Sequence, residues 1–128
     1  MKTYVIFDLD GTLLNTIDDL ANATNYAMRK LGFPTRGLWV YPGMVGNGVA
    51  KLIERALPDD SHSEKNINDA LAAFKEFYGE NCCKETKPYP GIPELLEELT
   101  AKGLNLAVTS NKYQEAVTKI IAHYFPSA

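Results

Sequence analysis

Tyr4-Val5-Ile6-Phe7 is an unbroken apolar run, and Asp8-Leu9-Asp10-Gly11-Thr12 follows it at once. Its β-branched and aromatic residues predict a short buried strand over Tyr4 to Phe7. From Thr16 the apolar spacing lengthens to three and four. Thr16-Ile17-Asp18-Asp19 reads as a helix N-terminus with early negative charge, and Ile17, Leu20, Ala27 and Leu31 share one face before Gly32 stops the helix. A second helix is predicted over Val49 to Leu57, with Val49, Leu52, Ile53 and Ala56 on one side. A third begins near Ser63 and carries Ile67, Leu71, Phe74 and Tyr78. Residues 16–86 therefore read as helical, without a strand.

Lys87-Pro88-Tyr89-Pro90-Gly91 is a rigid, turn-prone connection. Pro93 suits the first turn of a helix bearing Leu95, Leu96 and Leu99, which Lys102-Gly103 ends. Leu104 to Val108 is a second buried-strand candidate, followed by Thr109-Ser110-Asn111-Lys112 and a helix reaching about His123. Strand, helix, strand, helix implies an α/β fold with a parallel sheet. A helical insert interrupts this core after its first strand.

The chemistry is concentrated where the two strands end. Asp8 and Asp10 flank one leucine, and clustered carboxylates repel each other unless a cation or substrate offsets them. Open α/β sheets bind ligands at that end of their strands. A calcium loop of the EF-hand type is disfavoured, because its third oxygen ligand and distal glutamate are missing. Ser110 and Asn111 stand after the second strand and before a helix, where free N–H groups and the helix dipole suit an anion.

Asp8-Leu9-Asp10-Gly11-Thr12 behind an apolar strand resembles the first motif of the haloacid dehalogenase superfamily, mostly magnesium-dependent phosphatases. The resemblance implies that Asp8 is the nucleophile carrying an aspartyl-phosphate, and that Asp10 is the general acid and then the base. Asp8 and the Asp10 carbonyl would hold Mg²⁺. Gly11 and Thr12 would lie near the phosphate. Ser110, with the Asn111 amide, resembles the second motif, which holds the transferring phosphoryl group. The fold implied is a Rossmann-like core of residues 1–15 and 87–128, with a helical cap of residues 16–86. Gly46-Asn47-Gly48, Tyr89-Pro90-Gly91 and Ser110-Asn111-Lys112 together resemble the phosphoglycolate phosphatase branch. There the cap loop, here Gly46, Asn47 and Gly48, helps admit a small phosphorylated substrate.

The resemblance covers the front half of the family's pattern. A third-motif lysine and a fourth-motif acidic cluster have no counterpart before Ala128, and neither Lys112 nor Lys119 is assigned that lysine's role. The sheet is thus expected to be incomplete, its first strand left with an open edge. A C-terminal half or another chain would complete it. Lys51 and Arg55 read as solvated helix residues, and His62 and His123 as surface residues.

Composition narrows the partners. The 128 residues carry a net charge of −3, which gives no support for general nucleic-acid binding. No apolar run reaches membrane length, and the N-terminus shows neither the basic region nor the long apolar stretch of a secretory leader. Cys82 and Cys83 are adjacent, unlike a secreted disulfide framework. The expectation is a cytoplasmic hydrolase of a small phosphorylated metabolite such as phosphoglycolate. Its alternatives are a phosphosugar mutase, a pyrophosphatase or an inactive binding or regulatory fragment.

Overall fold

The structure is a computed structural model that describes residues 4–125. Strand β1 (Tyr4–Asp8) pairs in parallel with β4 (Asn105–Thr109), in a register running from Tyr4 opposite Asn105 to Asp8 opposite Thr109. A parallel pair needs a long crossover, and the whole intervening chain supplies it. Its last element, α4 (Ile92–Ala101), packs against β4 before α5 (Gln114–Tyr124) follows the sheet.

Two residues on each side of the crossover form a second, antiparallel ribbon. β2 (Leu14–Asn15) pairs with β3 (Lys87–Pro88), Leu14 opposite Pro88 and Asn15 opposite Lys87. The Tyr89 N–H extends it by donating to the Leu13 carbonyl at 3.2 Å. Between the ribbon strands run α1 (Ile17–Leu31), α2 (Val49–Ala56) and α3 (Glu64–Asn81). Buried Ala23, Ala27, Ala70 and Ala73 let α1 and α3 approach closely, and Tyr26 stacks on Phe77 at 4.8 Å between ring centres.

Local chemistry explains the helix ends. Gly32 takes φ +83°, and the Phe33 N–H returns to the Met28 carbonyl at 2.8 Å, closing α1. The Ser63 side chain accepts from the Asn66 N–H at 3.1 Å, capping α3. Thr16 departs from its expected role: it stands at the N-cap position of α1, but its hydroxyl caps nothing there and donates to Asp10. Short 3₁₀ turns at Leu38–Gly43 and Asp59–Ser61 were not anticipated.

The buried carboxylate of Asp19 ties α1 to the approach to β3. It accepts from the N–H groups of Glu85 and Thr86, at 3.0 and 2.8 Å, and from the Thr86 hydroxyl at 2.6 Å.

The strands are less buried than their sequences suggest. Tyr4 and Ile6 are 59% and 64% exposed, while Phe7, Leu106 and Val108 line an apolar recess with Leu13, Leu96, Ile121 and Phe125. Two strands with one covered face expose alternate residues of β1, and among the described residues no strand pairs with its other edge. Leu104, expected in the second strand, precedes it. His62 and His123 are exposed, and Cys82 and Cys83 are free thiols just past α3. Burial above all, then Cys82, pushes the Cys83 thiol up to about 12. Among the described residues, no helix is long and apolar enough to cross a membrane.

Candidate active site

The loop after β1 is folded by its own leucines. Leu9, Leu13 and Leu14 are buried, and the N–H groups of Leu13 and Leu14 both return to the Leu9 carbonyl, at 3.2 and 3.1 Å. Gly11 takes φ +81° and donates its N–H to the Leu14 carbonyl at 2.9 Å. A residue with a Cβ is strained there, which accounts for glycine directly after the acidic pair. The apolar anchors leave Asp8 exposed at the strand end and Asp10 half-buried beyond it.

Asp8 accepts from the Leu9 N–H at 2.9 Å through Oδ1. Asp10 is held more firmly. Its Oδ1 accepts from the Thr16 hydroxyl at 2.6 Å and lies 3.1 Å from the Lys112 ammonium.

The turn after β4 brings the second strand's residues to the same end of the sheet. Ser110 Oγ accepts from the Lys112 N–H at 3.0 Å and so shapes the turn. Exposed Asn111 reaches across to the helical segment and donates Nδ2 to the Gly46 carbonyl at 2.8 Å. Lys112 turns inward, its side chain only 2% exposed, and donates to the Tyr78 hydroxyl of α3 at 2.8 Å. Burial pushes the pKa of Lys112 down, and the Asp10 carboxylate opposes that shift. Burial, reinforced by Asp10, pushes the pKa of the Tyr78 phenol upward.

The loop before α2 closes over these groups. Gly46 and Gly48 take φ +109° and +91°, and a Cβ on Gly48 would lie 3.1 Å from the Asn111 carbonyl oxygen. Arg55, expected to be merely solvated, braces the loop. It donates to the Met44 carbonyl at 2.8 Å and to Asn47 Oδ1 at 2.9 Å. Asp8, Asp10, Gly46, Gly48, Asn111 and Lys112 thereby line one cavity of ≈ 40 Å³. That is room for about three waters at 10–15 Å³ each.

Six groups thus meet, although the sequence analysis left one of them, Lys112, without a role. Gly11, Thr12, Asn47 and Ser110 do not line the cavity; Thr12 is exposed, and Ser110 is half-buried with its hydroxyl engaged in the turn. Tyr78 and Thr16 read in sequence as a core residue and a helix cap, and no local pattern shows that Thr16 reaches Asp10 or that Tyr78 reaches Lys112.

The cavity's donors suit a hard cation. The Asp8 carboxylate and the Asp10 carbonyl are oxygen ligands of the type magnesium prefers. Among the described residues, no three His, Cys, Asp or Glu side chains cluster closely enough to hold a metal by themselves.

The haloacid dehalogenase-like hydrolase family profile matches residues 5–125, nearly the whole chain. The chain belongs to the haloacid dehalogenase-like hydrolases. Among curated hydrolases of this family, the phosphoglycolate phosphatase of Aquifex aeolicus is 40% identical over 121 residues, spanning 91% of this chain and 53% of the relative. That of Thiobacillus denitrificans is 35% identical over 120 residues, again 91% and 53%. A structure from Lactobacillus delbrueckii superposes with TM-score 0.87 at 32% identity, covering 98% of this chain and 61% of that one. A structure described as a predicted phosphoglycolate phosphatase from Haemophilus somnus gives TM-score 0.85 at 30% identity, covering 98% and 58%. The α/β fold expected from the alternating elements is thus the fold of this hydrolase family. The chain spans about half the length of the curated relatives it matches.

Proposed function

We propose that this chain is the front of a phosphomonoester hydrolase that passes phosphate through Asp8. One observation carries the reading: the parallel register sets Asp8 beside Thr109, so the acidic loop and the Ser110-Asn111 turn leave the sheet side by side. A nucleophile and an anion-binding turn then share one entrance.

In the first step a carboxylate oxygen of Asp8 attacks phosphorus and the ester P–O bond breaks. Asp10 gives its proton to the departing oxygen. In the second step water attacks the aspartyl-phosphate, Asp10 takes the water's proton, and the bond to Asp8 breaks to release inorganic phosphate. Splitting hydrolysis in two replaces one difficult displacement with two easier ones. The Ser110 hydroxyl and the Asn111 N–H position the phosphoryl oxygens, while Gly11 and Thr12 form the turn beside them. The Asp8 carboxylate and the Asp10 carbonyl would hold Mg²⁺, which when bound neutralises charge on the transferring group.

Residues 16–86 act as a cap on a core of residues 1–15 and 87–128. Of these, residues 1–3 and 126–128 lie outside the described residues. The Gly46-Asn47-Gly48 loop stands at the mouth of the cavity, tied to the turn after β4 through Asn111, so a small phosphorylated substrate would enter beside it. The similarity to phosphoglycolate phosphatases supports a small phosphorylated acid as substrate.

Activity is proposed for the chain together with the C-terminal half that its relatives carry. The test protein is this chain fused to that half of the Aquifex aeolicus relative. With Mg²⁺ it should hydrolyse small phosphomonoesters, phosphoglycolate foremost, whereas Asp8→Asn should show no turnover. Near-parental turnover in that variant would defeat the assignment. The unfused chain should be nearly inactive, since groups that act together are lost non-additively.

A further inference from the structure

The most unusual side chain near the site is one that the mechanism above does not use. Lys112 buries an ammonium at the junction of three segments: the acidic loop, the turn after β4 and helix α3. Burying an ammonium is costly unless it is paired and hydrogen-bonded. Here Asp10 Oδ1 lies 3.1 Å from Nζ, the Tyr78 hydroxyl accepts at 2.8 Å, and the ammonium stands 4.7 Å from the centre of the Tyr78 ring. The Thr16 hydroxyl meets the same Asp10 oxygen at 2.6 Å.

Both partners of Asp10 therefore occupy Oδ1. Among the described residues, no hydrogen bond engages Oδ2. A carboxylate pinned through one oxygen has its rotamer and plane fixed, and the other oxygen remains available for proton exchange. Tyr78 is fully buried on α3, so the ammonium's second anchor comes from the helical segment.

We propose that Lys112 is a positioning residue that fixes the Asp10 carboxylate through Oδ1 and makes that placement depend on Tyr78. This inference rests on the phosphatase reading for its catalytic consequence, though the contact itself does not. Lys112 acts through Asp10, and among the described residues it makes no hydrogen bond or ion pair with Asp8. Its contribution is confined to steps in which Asp10 moves a proton.

The test compares an alkyl phosphate, whose leaving oxygen needs a proton, with p-nitrophenyl phosphate, whose leaving group does not. In the fusion protein Lys112→Met should lower kcat for the alkyl ester by about 10²-fold, within the range of proton-transfer catalysis. The loss on the aryl ester should be less than about tenfold, and KM for both should move little. Tyr78→Phe keeps the ring and removes only the hydroxyl. It should shift the two substrates in the same unequal way and serves if Lys112→Met does not fold. Combining either substitution with Asp10→Asn should add almost nothing to the loss from Asp10→Asn alone. Equal losses on both esters, or fully additive losses with Asp10→Asn, would overturn the proposal.

A separate arm uses the 128-residue chain without catalysis. The Lys112 ammonium should give a protected ¹⁵N resonance that moves in both Asp10→Asn and Tyr78→Phe. A protected resonance without Asp8-dependent turnover in the fusion protein would refute the phosphatase reading and, with it, the catalytic role of Lys112, while leaving the contact established. Turnover with an unprotected, solvent-exchanging ammonium would refute the positioning role alone.

Discussion

Replacing Asp19 by alanine removes one carboxylate that accepts from three donors, the Glu85 N–H being shared between its two oxygens. The three donors do not suffer equally. The Glu85 N–H sits on an exposed residue and can turn to water, but Thr86 is 3% exposed, so its N–H and hydroxyl lose their partner inside the protein. Each buried polar group left unpaired costs about 1–3 kcal/mol. Two such groups give about 2–6 kcal/mol for Asp19→Ala. At 0.05–0.15 kcal/mol per residue a 128-residue chain has about 6–19 kcal/mol in all, so this loss is a large share. Asp19→Asn keeps one acceptor oxygen, and because both Thr86 donors use the same oxygen of Asp19, it should lose much less. Asp18→Ala is the control: it is exposed in the same first turn of α1, where a helix-dipole contribution of about 0.3–1 kcal/mol is at stake. Urea unfolding followed by circular dichroism reads all three. If Asp19→Ala came within 1 kcal/mol of Asp18→Ala, Asp19 would not be what holds residues 85–86 to α1.

Other expectations bear on the site. Gly48→Ala forces a side chain onto φ +91° and against the Asn111 carbonyl, and should cost about 1–3 kcal/mol in the same unfolding assay; unchanged stability would mean that the loop is not held there. Asp10→Asn in the fusion protein should slow alkyl phosphates by about 10²–10⁴-fold and an activated aryl phosphate much less, so equal losses would remove Asp10 from the role of acid. Replacing Gly46-Asn47-Gly48 should reorder activity across a panel of phosphoesters while sparing p-nitrophenyl phosphate. An unchanged ranking would leave that loop a structural connection.

The fold was legible wherever burial imposes a long repeat. α1 and α3 show their apolar faces over 15 and 18 residues, and Gly32 and Ser63 mark their ends. The β2–β3 ribbon was not legible, because two-residue strands carry no period and Leu14-Asn15 reads as part of a turn. The 3₁₀ turn at Leu38–Gly43 escaped for the same reason: Tyr41 is buried and donates to Asn25 at 2.6 Å, but its neighbours show no helical spacing. Asp8, Asp10, Gly46, Gly48 and Asn111 could be picked out because glycines and polar residues at strand and helix ends have few purely structural uses. Lys112 could not. Lysine is ordinarily a surface residue, and its partner Tyr78 lies 34 positions away on a face that sequence spacing assigns to the core. Only the packing of α3 against the turn after β4 makes a buried ammonium affordable there.

The direct test of the central claim is where phosphate is found on the protein during turnover. The fusion protein, incubated with Mg²⁺ and phosphoglycolate, is quenched in acid, digested and mapped by mass spectrometry. One phosphate should appear on the peptide containing Asp8, disappear on hydroxylamine treatment and be absent from Asp8→Asn. Phosphate on another residue, or turnover that leaves no Asp8 adduct and persists in Asp8→Asn, would contradict the account.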